Sequence, residues 1–236
     1  MRLALIAIAA LSLAGASAFA PAAAQQMTPP IEAAELAPGQ LGSLVRDRFL
    51  AAYSRAFGRC ADEAGAKIVF VQREELEVQE ASLKRQGSLP ADSKLFRERY
   101  HVIGCGPEQR TINVTAMQSS GRAVPVFGHP GETRSNELVQ FDFNTQVATA
   151  IGVVARSCRN ARTIEVWNTA LGQPITLEAF AAARGPATSP RRLIEAWEET
   201  WSVRACGASY DLPVKLALDE MGGFGFVVSV DQRRRR

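Results

Sequence analysis

Phe96-Arg97-Glu98-Arg99-Tyr100-His101-Val102-Ile103-Gly104-Cys105-Gly106 and Trp197-Glu198-Glu199-Thr200-Trp201-Ser202-Val203-Arg204-Ala205-Cys206-Gly207 are the two stretches whose comparison decides the fold. Both read aromatic-x-Glu-x-aromatic-x-Val-x-x-Cys-Gly, and Tyr100 and Trp201 stand 101 positions apart. Cys60 and Cys158 correspond at a displacement of 98, and each precedes a short apolar run, Lys67 to Val71 and Thr163 to Trp167. A repeat at this spacing predicts one supersecondary unit made twice, about 90 residues each time.

The neighbouring residues give the unit its shape. Trp197, Glu199, Trp201, Val203 and Ala205 alternate with other residues, as do Leu212, Val214, Leu216 and Leu218, and then Phe224, Phe226, Val228 and Val230. Period-two alternation predicts antiparallel strands with one buried face and one wet face. Asp219 to Gly223 reads as a hairpin turn, because Gly222 and Gly223 accept positive φ. The first copy repeats this with Ile112, Val114 and Ala116, a turn at Ser119-Ser120-Gly121, and Val124 and Val126. Pro125 marks that last strand as short or at an edge.

Helical spacing precedes each strand set, over Ser43 to Phe57 and over Phe143 to Ala155. A further short helix is expected at Leu177 to Arg184, with Thr176 as N-cap and Gly185-Pro186 as its stop. Each apolar sheet face needs a cover, and the first helix of each copy supplies one. The predicted fold class is therefore α+β: a tandem duplication of a small two-layer domain, each an N-terminal helix packed on an antiparallel β-meander. The boundaries follow as signal peptide 1–24, flexible lead-in 25–42, first repeat 43–128, linker 129–137, second repeat 138–231 and basic tail 232–236.

Met1-Arg2, the apolar run Leu3 to Leu13 and the small residues that follow form the three-part pattern of a secretory signal, with cleavage after Ala24. The run is too short for a span, which needs roughly 20 residues. Export suits the four cysteines, since an even count in an oxidising compartment favours disulfides. No C-x-x-C occurs, so neither a redox centre nor a zinc ribbon is indicated. Four cysteines allow three pairings. The pairing that respects both copies is Cys60–Cys105 with Cys158–Cys206. The expected location is periplasmic or secreted, with no membrane span after signal cleavage.

The net charge is +3, and Arg233, Arg234, Arg235 and Arg236 carry four of the positive charges on a body otherwise slightly acidic. A nucleic-acid binder carries its basic face on the folded domain, so nucleic acid is not an expected partner. The arginine tail points instead to an envelope protein or an anionic surface. Glu199 to Gly207, followed by Leu212 to Leu218 and Gly222-Gly223-Phe224, is similar to the C-terminal part of small exported proteobacterial proteins of uncharacterised activity. That resemblance implies an envelope or secreted location and transfers no site residues.

Catalytic patterns are weak throughout. His101 alternates on the face opposite the aromatics, where a solvated strand histidine is expected. His129 and Glu132 lie in a Gly-Pro turn and supply too few ligands for zinc. Gly222-Gly223-Phe224-Gly225 precedes a strand rather than a helix, so it is no phosphate cradle. Trp167, Trp197 and Trp201 offer an aromatic platform, against the simpler reading of core packing. No catalytic, cofactor-binding or metal residue is assigned. The leading expectation is an exported, disulfide-bonded envelope protein acting by non-catalytic contacts. The alternative is a periplasmic hydrolase or small-ligand protein with a site between the repeats, drawing on His101, Glu98 and Glu199.

Overall fold

The structure, a computed structural model, describes residues 30–32, 36–106, 109–155, 158, 164–184, 192–220 and 222–229. The signal 1–24, the Gly185-Pro186 stop and the Arg233–Arg236 tail lie outside the described residues. Strand β1 (Ile31–Glu32) precedes α1 (Gly42–Phe57), β2 (Lys67–Glu75), α2 (Glu77–Arg85), β3 (Lys94–Ile103), β4 (Arg110–Ser119) and β5 (Arg122–Phe127). The order then recurs as α3 (Glu137–Val154), β6 (Glu165–Pro174), α4 (Leu177–Arg184), β7 (Leu193–Ala205), β8 (Ala208–Asp219) and β9 (Phe224–Val228). The strands form two antiparallel sheets, β1-β5-β4-β3-β2 and β6-β7-β8-β9, so the fold is mixed α+β.

Register makes the two halves directly comparable. Tyr100 pairs with Ile112 and Phe70; Trp201 pairs with Leu212 and Thr169. Cys206 and Gly207 take φ of 48° and 79° between the paired Ala205 and Ala208. A two-residue hairpin of the type favoured by strand twist requires positive φ at both central positions. Gly207 adopts it freely, whereas Cys206 does so against its Cβ. Ser120 and Gly121 repeat the arrangement at 48° and 76° between β4 and β5.

Two disulfides are formed, Cys60–Cys105 and Cys158–Cys206, each inside one half. Each joins the segment after the first helix to the end of the first meander strand. The two cores are separate clusters, one around Val45, Phe49, Phe96 and Tyr100, the other around Ile151, Trp197, Trp201 and Leu216. Thr176 accepts from the Ala179 N–H at 3.1 Å at the start of α4, which packs Phe180 against Ala196 and Ala217.

The structure departs from the sequence reading in several places, and part of the lead-in expected to be flexible is packed, with Leu36 and Leu41 buried in the first core. First, α3 begins at Glu137 rather than Phe143, because the Asn136 side chain accepts from the Val139 N–H at 2.9 Å and caps it. Second, α2 occupies the first-half connector; its apolar content is low, and Glu80 and Lys84 pair across one turn to support it. Third, the wet outer face expected of the first sheet is covered. Helix α3 touches β4 and β5 as well as β9. Asn113 and Thr115, paired with Arg99 and Arg97 on that outer face, are buried. Alternation reports polarity rather than exposure, and here polar side chains are matched to a polar stretch of helix.

The linker expected at 129–137 is likewise part of the packed structure. Gly131 N–H donates to Thr111 O at 2.8 Å, Thr169 N–H to Pro130 O at 2.7 Å, and Glu132 N–H to Thr169 O at 2.8 Å. The chain leaving β5 thus stitches β4 to β6. Gly131 has φ of 112°, and a Cβ there would meet Thr169 O at 2.2 Å, so only glycine fits. On the other side of the seam, Trp167 leaves its own sheet and packs 5.6 Å from Phe49 and 4.6 Å from Phe57, ring centroid to centroid.

Sequence separations of 45 and 48 between the bridged cysteines set the disulfide contribution. Chain entropy assigns each loop about 4 kcal/mol. Replacing Cys158 and Cys206 together by serine is expected to lower the urea unfolding free energy by about that amount, measured by circular dichroism. The Cys60/Cys105 pair is expected to behave alike.

Candidate functional site

Glu98 and Glu199, at matching places in the two compared stretches, lie on the core side of β3 and β7 and are 0% and 1% exposed. A carboxylate so placed must find donors. Glu98 accepts from the Gly39 N–H at 3.0 Å, from Arg73 Nε at 3.0 Å and from the Tyr100 hydroxyl. Arg73 also donates to Leu36 O at 2.8 Å, and its guanidinium stacks 3.9 Å above the Phe96 ring. Burial, and then the Glu98 carboxylate, push the Tyr100 hydroxyl far above the ordinary phenol range, so it remains a donor.

Glu199 repeats the arrangement with different donors. Trp197 Nε1 and Trp201 Nε1 donate at 2.9 and 2.8 Å, Thr133 Oγ1 at 2.9 Å and the Arg134 N–H at 3.0 Å. The Arg134 guanidinium lies 4.8 Å from the Trp197 ring centroid, as Arg73 lies over Phe96. Each glutamate therefore clasps the segment that leads into its half's first helix: residues 36–39 before α1 and residues 133–134 before α3. Both carboxylates are engaged in holding backbone and indole or phenol groups.

A second buried polar group lies under α3. Glu137 is fully buried and accepts from Arg97 Nε at 3.1 Å and from the Thr115 hydroxyl. Gln140, one turn on, accepts from the His129 N–H at 2.6 Å and donates to Ser135 O at 3.0 Å. The His129 ring is buried edge-on to Trp201, with centroids 5.1 Å apart. Burial pushes its pKa down to about 3. His129, expected in a linker turn, is thus a neutral core side chain at the join of the two halves.

The exposed chemistry sits elsewhere. Val69, Phe70 and Val71 on β2 are 46%, 37% and 41% exposed, and Ile103 beside them on β3 is 44% exposed. Among the described residues no strand pairs with the outer edge of β2, which ends its sheet. The corresponding edge of β6 is filled by Pro130 to Glu132. Beside the first disulfide, an open depression of about 700 Å³ is lined by Arg46, Arg59, Asp62 and Glu63. Its charges are mixed, and Arg46 Nη2 already donates to Glu63 O at 2.8 Å.

His101, Glu98 and Glu199 do not form one site. Glu98 belongs to the first core, Glu199 to the second, and His101 points to the opposite face of β3 from Glu98. Trp197 and Trp201 are buried in the second core, and Trp167 is buried in the first. Among the described residues no group of three or more His, Cys, Asp or Glu is placed to hold a metal ion, and no helix is long and apolar enough to cross a membrane. Arg73, Arg134, Thr133 and Glu137 escaped the sequence reading. The available signal was parity: Glu98 and Glu199 share a strand face with core aromatics, which requires partners from elsewhere. No protein-family model, curated protein or solved structure matches the chain.

Glu199→Ala leaves two buried indole N–H groups and a backbone N–H without their acceptor. The expected loss is about 3 kcal/mol of unfolding free energy, with a changed tryptophan emission spectrum in the folded state. An unchanged spectrum and stability contradict the clasp. His129 gives a pH test. Its folded pKa lies below the unfolded value of about 6.5, so the unfolded chain takes up a proton that the folded chain refuses. Its contribution to stability is intact above pH 6.5 and falls by up to about 1.4 kcal/mol per pH unit between pH 6.5 and about 3. The wild type minus His129→Gln difference, from urea melts at pH 6.5 and 4.5, is expected to change by roughly 2.5 kcal/mol.

Proposed function

We propose that this is an exported, disulfide-bonded cell-envelope protein, periplasmic or secreted, that acts by non-catalytic contacts made along the edge of β2. The observation that carries this reading is the contrast between equivalent edges. The β6 edge is filled by the chain itself, while among the described residues no strand pairs with the outer edge of β2, beside the exposed Val69, Phe70 and Val71. Natural sheets cover, shorten or charge such edges, and one left apolar is a ready template for an added strand. The two disulfides and the signal-like residues 1–24 support an oxidising destination. The buried glutamates serve rigidity: they hold the helices against the sheets that present the edge.

The test combines location with contact. N-terminal analysis of the protein recovered from cells is expected to begin at Gln25, with all four cysteines resistant to alkylation before reduction. A photo-activatable residue at Val71 is expected to give a specific cross-linked product in the intact envelope. The same probe at Val153, exposed on α3, is expected to give none. Equal products from both positions, or none from Val71, overturn the assignment of β2 as the contact surface.

A further inference from the structure

The chain leaving each meander takes the same first step. Phe127 pairs with Val114 and Val228 with Val214. The next residue then donates back: Gly128 N–H to Asn113 O at 2.9 Å, and Ser229 N–H to Pro213 O at 2.9 Å. Asn113 and Pro213 hold equivalent places, opposite Arg99 and Thr200. In the first half the chain continues for three residues and lays Gly131 beside Thr169 in parallel, adding itself to the β6 edge. In the second half Ser229 is the last described residue, and the chain's own β6 edge is already taken by residues 130–132.

The β2 edge is of that kind, and among the described residues no strand pairs with its outer side. Phe70 pairs with Tyr100 as Thr169 pairs with Trp201. In an alternating antiparallel ladder, residues in the same phase send their N–H and C=O the same way. The outward groups that Thr169 gives to Pro130 and Glu132 are therefore offered by Phe70 as well. We infer that residues 230–236 of one copy add in parallel to the β2 edge of a second copy, as residues 130–132 add to β6. This rests on the reading of β2 as the contact surface and names its occupant.

Charge fixes the direction. Displacing Gly131 by the repeat interval of 101 puts Gln232 beside Phe70. A bulge at Val71 follows, between the paired Phe70 and Gln72, and Arg233 to Arg236 run past it toward Glu74, Glu75 and Glu77, all exposed. Glu74 keeps 55% of its side chain in solvent, with Arg97 Nη1 no nearer than 4.0 Å. Arg73, the cation in that stretch, is turned inward onto Glu98 and Phe96, so it does not face the tail. The contact is head-to-tail: each copy has one tail to give and one edge to receive. Such a contact closes into a ring or pair when the rotation allows and otherwise continues as a chain.

Two variants divide the contact between separate molecules. Chains from Gln25 onward that lack residues 230–236 keep the edge; chains carrying Glu74→Lys, Glu75→Lys and Glu77→Lys keep the tail. In sedimentation at up to about 100 μM, a range that detects weak association, wild type is expected to gain mass with concentration. That gain is expected to vanish at about 0.5 M salt, where screening is strong. Each variant alone is expected to remain monomeric, and an equimolar mixture to give a species of about twice the monomer mass. A peptide of residues 227–236 is expected to bind the tail-less chain, with at least a tenfold loss when its four arginines are replaced by glutamine. This second measurement stands even if the triple variant does not fold. Wild type that stays monomeric, association that survives tail deletion, or a peptide that does not bind overturns the proposal. A Val71 cross-link to a different envelope protein in a monomeric wild type sinks self-docking alone, whereas no Val71 product sinks the contact reading with it.

Discussion

A carboxylate buried on the core face of a strand is the constraint around which each half is arranged. Leaving an ionisable group inside an apolar core without donors costs several kcal/mol, so the chain around it must bring them. In the first half the donors are Gly39, Arg73 and Tyr100; in the second they are Thr133, Arg134, Trp197 and Trp201. Gly39, Arg73, Thr133 and Arg134 come from segments far from the glutamates in sequence, and meeting them fixes where each helix enters and how its apolar face lies on the sheet. The arginine stacked on Phe96 or Trp197 seals the same corner from solvent. Similar clasps made with different donors indicate that geometry, not a particular residue type, is what the two halves share.

The halves are joined by interactions of mixed character. Trp167 gives the first core an apolar plug, Arg55 Nε reaches Glu165 at 3.0 Å, and Arg204 Nε donates to Ala56 O at 3.1 Å over the Phe57 ring. On the opposite side, α3 meets the back of the first sheet through Glu137, Arg97 and Thr115. A seam built from buried polar groups is specific in register, because sliding by one residue leaves several donors unpaired. It also binds the edge of β6 to the chain leaving β5, which is why the two equivalent edges have different fates.

Much of this was legible in the sequence because the signals were local and repeated. Period-two alternation located β7, β8 and β9, and the shared Cys-Gly ends aligned the halves. Thr176 announced the start of α4. What escaped depended on contacts between distant segments. Alternation at Thr115 and Asn113 marks a polar face, but only α3 decides that the face is covered. Asn136 reads as a linker residue until its side chain is seen to cap α3, and His129 reads as a turn residue until the second core closes over it. Glu98 and Glu199 were visible as a matched pair; their role was not, since Arg73 and Thr133 carry no mark of where they will be needed.

The polarity of the covered face has a consequence for the order of assembly. A chain that emerges from its N-terminus, from a ribosome or from an export channel, presents residues 36–127 before α3. During that interval the back of the first sheet, with Arg97, Arg99, Asn113 and Thr115, meets water rather than helix. An apolar back would be a sticky surface for as long as emergence of the remainder took. A hydrogen-bonding one is satisfied by solvent while it waits, and gives that solvent up when Glu137 and Gln140 arrive. The same side chains thus serve two environments in succession, and this face adds no apolar surface while the first half waits for the second.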